Sequence, residues 1–372
     1  MASRTAEEVG PFTSLMRLIF KDILMHICIT LGVLGNILTL IILLQKKMRH
    51  TSTSQYLTFL TVFDLLYIVS CFFNNLEIMY SNNMLIEQIR PYINLIFYPL
   101  GDFSANTSAY LILVFTIERF VAVAYPLNSR FWCRPSRARK IILATVIFTF
   151  LLTFPTFLEN KIAFIHDPDL NRTRAELVDS GFYPNFDFYK LIYFWLIAIM
   201  VQFIPLTLLI VLNGFLMKYI HGSIKLKQIN LTNNFKPFST DKPSIELRVH
   251  RKSDLTVQNT YKNTSQSDQN KVTILLIATV LLFLICQVPS ALLLIYEAIF
   301  PLDNDVGYVT KDIRLGLNNI ANGLTAINAS VNFILYSCFS DKFRQTFRAM
   351  FLNKTKRNES TMYSKIRTIV SN

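Results

Sequence analysis

Residues 272–295 read VTILLIATVLLFLICQVPSALLLI, with no Asp, Glu, Lys or Arg anywhere in the run. A bilayer's hydrocarbon core is ~30 Å thick and a helix of roughly 20 apolar residues crosses it, so this stretch is long enough to span one. Six further runs of similar length lie near 23–44, 56–79, 91–117, 141–158, 191–217 and 315–338. The last is the most polar, since it holds Asn318, Asn319, Asn322, Asn328 and Asn332. Buried helices of a soluble domain would be shorter and amphipathic. Lipid offers the backbone no hydrogen-bond partners, so each run must satisfy its own amides as a helix. The fold class is therefore an all-α membrane protein, a seven-transmembrane helix bundle. Kinks are expected at Pro99, Pro155, Pro205 and Pro289, where proline removes an in-helix hydrogen bond. No internal repeat is visible, which weighs against transporters built from repeated halves.

Composition agrees. The 372 residues are 52% hydrophobic and 16% charged, whereas a soluble chain carries about 25% charge. Lys and Arg in connecting segments set orientation. The segments after runs one, three and five, together with the tail, hold 27 of the 37 basic residues. The other side, N-terminus included, has ten basic residues against fifteen acids. This places the N-terminus outside and the C-terminus in the cytosol. The formal charge of +13 then matches anionic inner-leaflet lipid, and nucleic acid is a poor reading for it.

The chain divides accordingly. Residues 1–22 form an extracellular N-terminus without the basic-then-apolar order of a cleavable signal, and residues 23–338 form the bundle. Asn171, in NRT, is the sequon expected to be extracellular and clear of the membrane. The third cytosolic loop, 222–270, is polar and expected to be disordered. After the seventh run, Phe339, Phe343, Phe347 and Phe351 recur every four residues among Lys342, Arg344 and Arg348. That pattern predicts a short amphipathic helix over 339–351 on the cytosolic membrane surface, followed by a tail, 352–372.

Ionisable groups at membrane depth are costly and mark function. Asp64, in LTFLTVFDLLY, and Asp102, in PLGDFSANTSAY, both qualify. Asn36, Ser108, Asn328 and Asn332 lie at a similar depth to Asp64. Such an oxygen cluster suits a sodium ion, or equally an interhelical hydrogen-bond network. Glu118 and Arg119 stand together at the cytosolic end of the third run, where the arginine can snorkel to the interface.

At this point the sequence resembles the rhodopsin-like (class A) G-protein-coupled receptors. The likeness runs in order through GN at Asn36, LTVFD at Asp64, ERF…AYPL at 118–127, Pro205, CQVP at 286–289 and NFILY at 332–336. Within that class, TIERFVAVAYPL…CRPSRARKIIL with FPTFLEN is similar to invertebrate FMRFamide-type neuropeptide receptors. Several positions depart from the family pattern. Its D-R-Y is Glu118-Arg119-Phe120, its C-W-x-P is Cys286-Gln287-Val288-Pro289, and its N-P-x-x-Y is Asn332-Phe333-Ile334-Leu335-Tyr336, which loses a proline kink. Asn213 stands where many members have a tyrosine. The family's disulfide between the third span and the second outside loop is not expected, because Asn94 replaces its first cysteine and none of Cys28, Cys71, Cys133, Cys286 or Cys338 lies in that loop.

The resemblance implies a receptor, not an enzyme, that binds an extracellular ligand and activates a heterotrimeric G protein at the plasma membrane. Arg119, beside Glu118, would meet the G protein, with Asn213 and Tyr336 as candidate partners. The tail's Ser360, Thr361, Ser364, Thr368 and Ser371 would serve kinases and arrestin. The outer halves of the spans offer Asn74, Glu77, Asp102, Gln287, Glu297, Asn318 and Asn322 to the ligand. The excess of outside acid suits a basic ligand such as a short amidated neuropeptide. Other readings are a same-fold chemosensory or orphan receptor for a non-peptide ligand, or a non-receptor seven-span transporter or membrane hydrolase. The hydrolase would need several His or acid ligands at one depth, and only His26 of the five histidines lies within a run. No metal site or cofactor is expected apart from the sodium ion.

Overall fold

The computed structural model describes residues 10–46, 48–76, 84–167, 172–182, 192–193, 195–234, 273–296 and 308–350. In chain order its helices are α1 (Pro11–Leu43), α2 (Ser52–Asn74), α3 (Met84–Ala124), the short α4 (Pro126–Trp132) and α5 (Pro135–Thr153). After strands β1 (Asn160–Asp167) and β2 (Arg172–Asp179) come α6 (Ile204–Asn234), α7 (Thr273–Tyr296), α8 (Tyr308–Ser330), α9 (Asn332–Phe339) and α10 (341–350). Six helices among the described residues are long and apolar enough to cross a membrane: α1, α2, α3, α5, α7 and the segment Trp195–Tyr219 that runs into α6. The asparagines of α8 keep its hydropathy below theirs.

Polarity is arranged inside out. Leu31, Leu34, Leu143, Leu151, Ile285 and Leu292 are exposed, whereas Asn36, Thr39, Thr61, Asp64, Ser104, Thr107 and Thr149 are buried. The buried hydroxyls are satisfied within their own helices: Thr39 donates to the Gly35 carbonyl, Thr61 to Leu57 and Thr107 to Phe103, each at 2.7–2.8 Å. Such self-pairing lets polar side chains face other helices at little cost. α3 runs through the centre, and its buried residues 109–113 and Phe115 pack with Leu57, Leu60, Ile142, Leu209, Leu276, Val280 and Tyr336 from five other helices. Small residues bring α1 close to α8 and α9. A Cβ on Gly32 would lie 2.4 Å from Ile68 and 2.8 Å from the Ser330 hydroxyl, and one on Gly35 would meet Phe333 at 3.0 Å.

Four expectations from sequence are corrected. The protein is not purely α, because β1 and β2 form an antiparallel hairpin in register Asn160↔Asp179 to Asp167↔Arg172. Neither eight-residue strand alternates cleanly between polar and apolar residues, so the segment reads as a loop. Residues 11–22 are not a separate N-terminal tail. α1 begins at Pro11 and passes through a π-helical stretch, Arg17–Leu24, although Arg17, Lys21 and Asp22 end the apolar run there. The polar segment expected to be disordered from 222 is helical as far as Asn234. No proline follows Pro205 until Pro237, and extending an existing helix avoids the nucleation cost. Losing the N-P-x-x-Y proline also leaves a helix break. α8 and α9 part at Val331, next to Ser330, whose hydroxyl bonds back to Ala326 O at 2.6 Å and across to Cys28 O at 2.9 Å. Back-bonding of this kind bends helices.

Among the expected kink sites, Pro155 closes α5 in a 3-10 turn, Phe154–Phe157, and Pro205 follows a π-helical turn, Ala198–Phe203. Pro99 and Pro289 sit inside continuous helix.

Candidate functional site

Three polar layers lie along α3. At the end of the bundle that carries the hairpin, a cavity of about 340 Å³ opens between α1, α2, α3 and α8. Asp102 from α3 is exposed to it, and Asn74, Asn75, Asn318 and Asn322 line it with Tyr67. The Asn74 and Asn75 side-chain oxygens are buried without hydrogen-bond partners, whereas Asn322 donates to Asn318 at 3.3 Å. The cavity therefore offers a carboxylate and spare acceptor oxygens to a ligand rich in N–H donors.

Of the residues assigned to the ligand from sequence, Asn74, Asp102, Asn318 and Asn322 gather here. Gln287 does not line the cavity; its backbone carbonyl accepts from Gln202 at 2.9 Å. Glu77, Glu297 and the sequon Asn171 lie outside the described residues. The π-helical part of α1 supplies Phe20 and Lys21 to the cavity wall, which sequence alone did not mark because they precede the first apolar run. Nearby, Asp312 accepts from the Phe12 and Thr13 amides at 3.2 and 2.8 Å. Burial raises its pKa, but these bonds and the Thr13 side chain outweigh that and hold it below the usual carboxylate value.

Midway along the bundle, Asp64 is buried. Its Oδ1 accepts from Ser108 at 2.7 Å and its Oδ2 from the Asn332 amide at 2.5 Å. Asn36 donates instead to Ala329 O at 2.9 Å, and Asn328 is buried close by in sequence to that carbonyl. Asp64, Ser108 and Asn332 thus meet directly, while Asn36 joins through the α8 backbone. The side-chain oxygens of Asn36 and Asn332 are buried and unpartnered.

At the α4 end, Arg119 lies 2.5 Å from Glu118 Oε1, which also accepts from Ser52 at 2.6 Å. The guanidinium reaches Ser52 at 3.5 Å and rests 5.4 Å from the Phe115 ring centre. Tyr56 stacks on Phe115 from the opposite helix. Asn213 bonds to its own Leu209 carbonyl at 2.7 Å, and the buried Tyr336 hydroxyl lies beside Thr61; neither contacts the arginine. The pair is clasped by α2, through Ser52, a residue that carries no sequence signal because a serine at a helix start is commonplace.

Residues 35–336 match the family described as 7 transmembrane receptor (rhodopsin family). The chain is 27% identical over 326 residues to the FMRFamide peptide receptor frpr-18 of Caenorhabditis elegans, covering 86% of this chain and 66% of that one. It is 26% identical to the thyrotropin-releasing hormone receptor of Ovis aries, covering 88% and 76%. It is 25% identical to the FMRFamide receptor of Drosophila melanogaster, covering 89% and 54%. The chain thus spans between half and two thirds of the length of the two FMRFamide-type relatives.

Proposed function

This chain belongs to the rhodopsin family of 7 transmembrane receptors, and on that premise we propose that it binds a short peptide from outside and activates a heterotrimeric G protein inside. The observation that carries the proposal is the placement of Asp102 and Arg119 on one helix. They are 17 residues apart on α3, about 25 Å at 1.5 Å per residue, with a ligand-sized cavity at one end and a clasped arginine at the other. A rigid rod that meets both can couple them as one two-state element, biased by whichever state the ligand binds better.

The names of the relatives, a peptide receptor and a hormone receptor, support a peptide-type ligand. Asp102 and the spare asparagine oxygens suit one with a cationic side chain and an amidated end. An orphan or chemosensory ligand remains the alternative reading; no observation favours a transporter or hydrolase. In this proposal α8 from Leu315 onward, together with α9, forms the seventh span, and the first turns of α8 with Asp312 stand outside it. The hairpin end and N-terminus face outside, with glycosylation at Asn171. The α4 end, the surface helix α10 and the tail face the cytosol, where kinases and arrestin would act. The receptor works at the plasma membrane.

The oxygens around Asp64 fit a hard monovalent cation, since Asn36 and Asn332 keep unpartnered acceptors there and such ions take oxygen ligands. Asp64, Ser108 and Asn332 would hold it. The ion would favour the resting arrangement in which α2, α3 and α9 converge.

Arg119 would be freed from Glu118 and Ser52 when the cytosolic ends part, and would then meet the G protein. The test is a screen of amidated peptides on cells expressing the chain, read by calcium or cyclic AMP, with Asp102→Asn beside the wild type. A responding peptide whose potency falls in the variant supports the proposal. A response left unchanged by the substitution removes this cavity as the ligand site.

A further inference from the structure

We propose that a second cavity, at the α4 end, lodges an acyl chain of an anionic phospholipid whose head group is received by Arg137. The leaflet concerned rests on the orientation proposed above; the site itself does not. The cavity has a volume of about 470 Å³ and is walled by Tyr56, Val114, Ile117, Tyr125, Trp132 and Ile141, with Glu118 as the charged residue in the wall. It is set between α2, α3, α4 and α5, away from the ligand cavity.

Its walls suit hydrocarbon, and Ile117, Tyr125 and Trp132 remain exposed on the bundle's outer surface, so a chain from the bilayer can enter sideways. Charge selects the head group. The Arg137 guanidinium lies 3.7 Å from the Phe131 ring centre and 5.2 Å from that of Trp132, and it has no carboxylate partner among the described residues. Stacking occupies the faces of a guanidinium and leaves its N–H edges free to bond a phosphate. An ammonium-bearing neutral lipid gains less there than a net anion. A chain so lodged would also keep water from Glu118, which strengthens its attraction for Arg119.

The chain has two tryptophans, Trp132 and Trp195, which makes the site directly readable. In a Trp195→Phe background, the receptor is placed in symmetric nanodiscs of phosphatidylcholine containing a minor fraction of acyl-brominated phosphatidylserine or acyl-brominated phosphatidylcholine. Bromine quenches indole only at contact. The serine lipid is expected to quench Trp132 at about fivefold lower content, the preference that one arginine supplies near a membrane. Arg137→Gln should abolish that preference while keeping the quenching common to both lipids, and Val121→Phe, at a further residue of the cavity wall, should narrow the cavity and reduce both. Equal quenching by the two lipids in the parent, or a preference that survives Arg137→Gln, overturns the proposal. Lipid on both faces makes the result independent of orientation, which protease access to the tail in intact cells tests separately.

Discussion

Thr13 and Asp312 stand 299 positions apart and are joined twice: the Thr13 amide donates to the Asp312 carboxylate at 2.8 Å, and the Thr13 hydroxyl donates to the Asp312 carbonyl at 2.7 Å. The carboxylate thereby caps the first turn of α1 from the first turns of α8, the arrangement that favours negative charge at a helix N-terminus. Because the folded-state pKa is lowered, the stabilisation is complete above the unfolded carboxylate value, ~3.9. It is lost as pH falls through the lower folded value. Asp312→Asn keeps one acceptor oxygen and Asp312→Ala keeps none. At neutral pH the melting temperature should therefore fall in the order wild type, Asn, Ala. As pH falls below ~4 the wild type should lose its margin over Asp312→Asn, whereas the gap between Asn and Ala, which involves no titrating group, should persist. A wild-type margin over Asn that survives in strong acid would place the effect elsewhere.

The same seam is packed through two glycines. A Cβ on Gly316 would stand 2.3 Å from the Phe12 ring, and one on Gly323 would stand 2.7 Å from Phe20. Gly316→Ala and Gly323→Ala should each cost about 1–3 kcal/mol, the usual penalty for overfilling a packed site. Gly214→Ala, where a Cβ meets nothing within 4 Å, should be neutral or slightly stabilising. Thermal unfolding in detergent separates the two classes. Phe20 also walls the ligand cavity, so Gly323→Ala is expected to weaken ligand binding more than Gly316→Ala does.

These contacts also mark how far the sequence could be read. Apolar runs locate helix interiors, because lipid enforces one solution for the backbone, and the polar residues within them pointed to Asp64, Asp102 and Arg119. Helix ends were less legible. Arg17, Lys21 and Asp22 look like an exit from the membrane, yet Phe12 and Phe20 seat on glycines of α8 and carry the helix on. That is a tertiary effect no window of neighbouring residues contains. The hairpin escaped for a different reason: eight-residue strands in a polar connection carry weak periodicity. Ser52 escaped because its partner, Glu118, lies 66 positions away.

Around Asp64 the prediction concerns salt. If a sodium ion is held there in the resting state, agonist affinity should fall as sodium replaces a large organic cation at constant ionic strength. Asp64→Asn should remove that dependence and leave the high-affinity value. Ser108→Ala and Asn332→Ala should weaken it partially, since each takes one hydrogen bond from the carboxylate. A sodium effect of full size in Asp64→Asn, measured by radioligand competition, would leave these residues as an interhelical polar network only.

The clasp at the other end should work as a restraint. Glu118 Oε1 accepts from both Arg119 and Ser52, so Glu118→Gln removes the charge that holds the arginine while keeping the side chain's shape. A loss of about 1.4 kcal/mol in resting-state bias raises the active population roughly tenfold while that population is small. Ligand-free nucleotide exchange should rise by that order in Glu118→Gln, and less in Ser52→Ala, where the ion pair persists. Arg119→Ala should abolish exchange with ligand affinity retained. It strands Glu118 without its partner, which for a buried pair costs up to ~3–5 kcal/mol and can lower the yield of folded receptor. Adding Glu118→Gln to it relieves that cost and keeps the comparison fair. If the double variant binds ligand and still drives exchange, Arg119 is not the residue that meets the G protein. If it binds ligand and is silent while Glu118→Gln alone is overactive, the acid restrains and the arginine transmits.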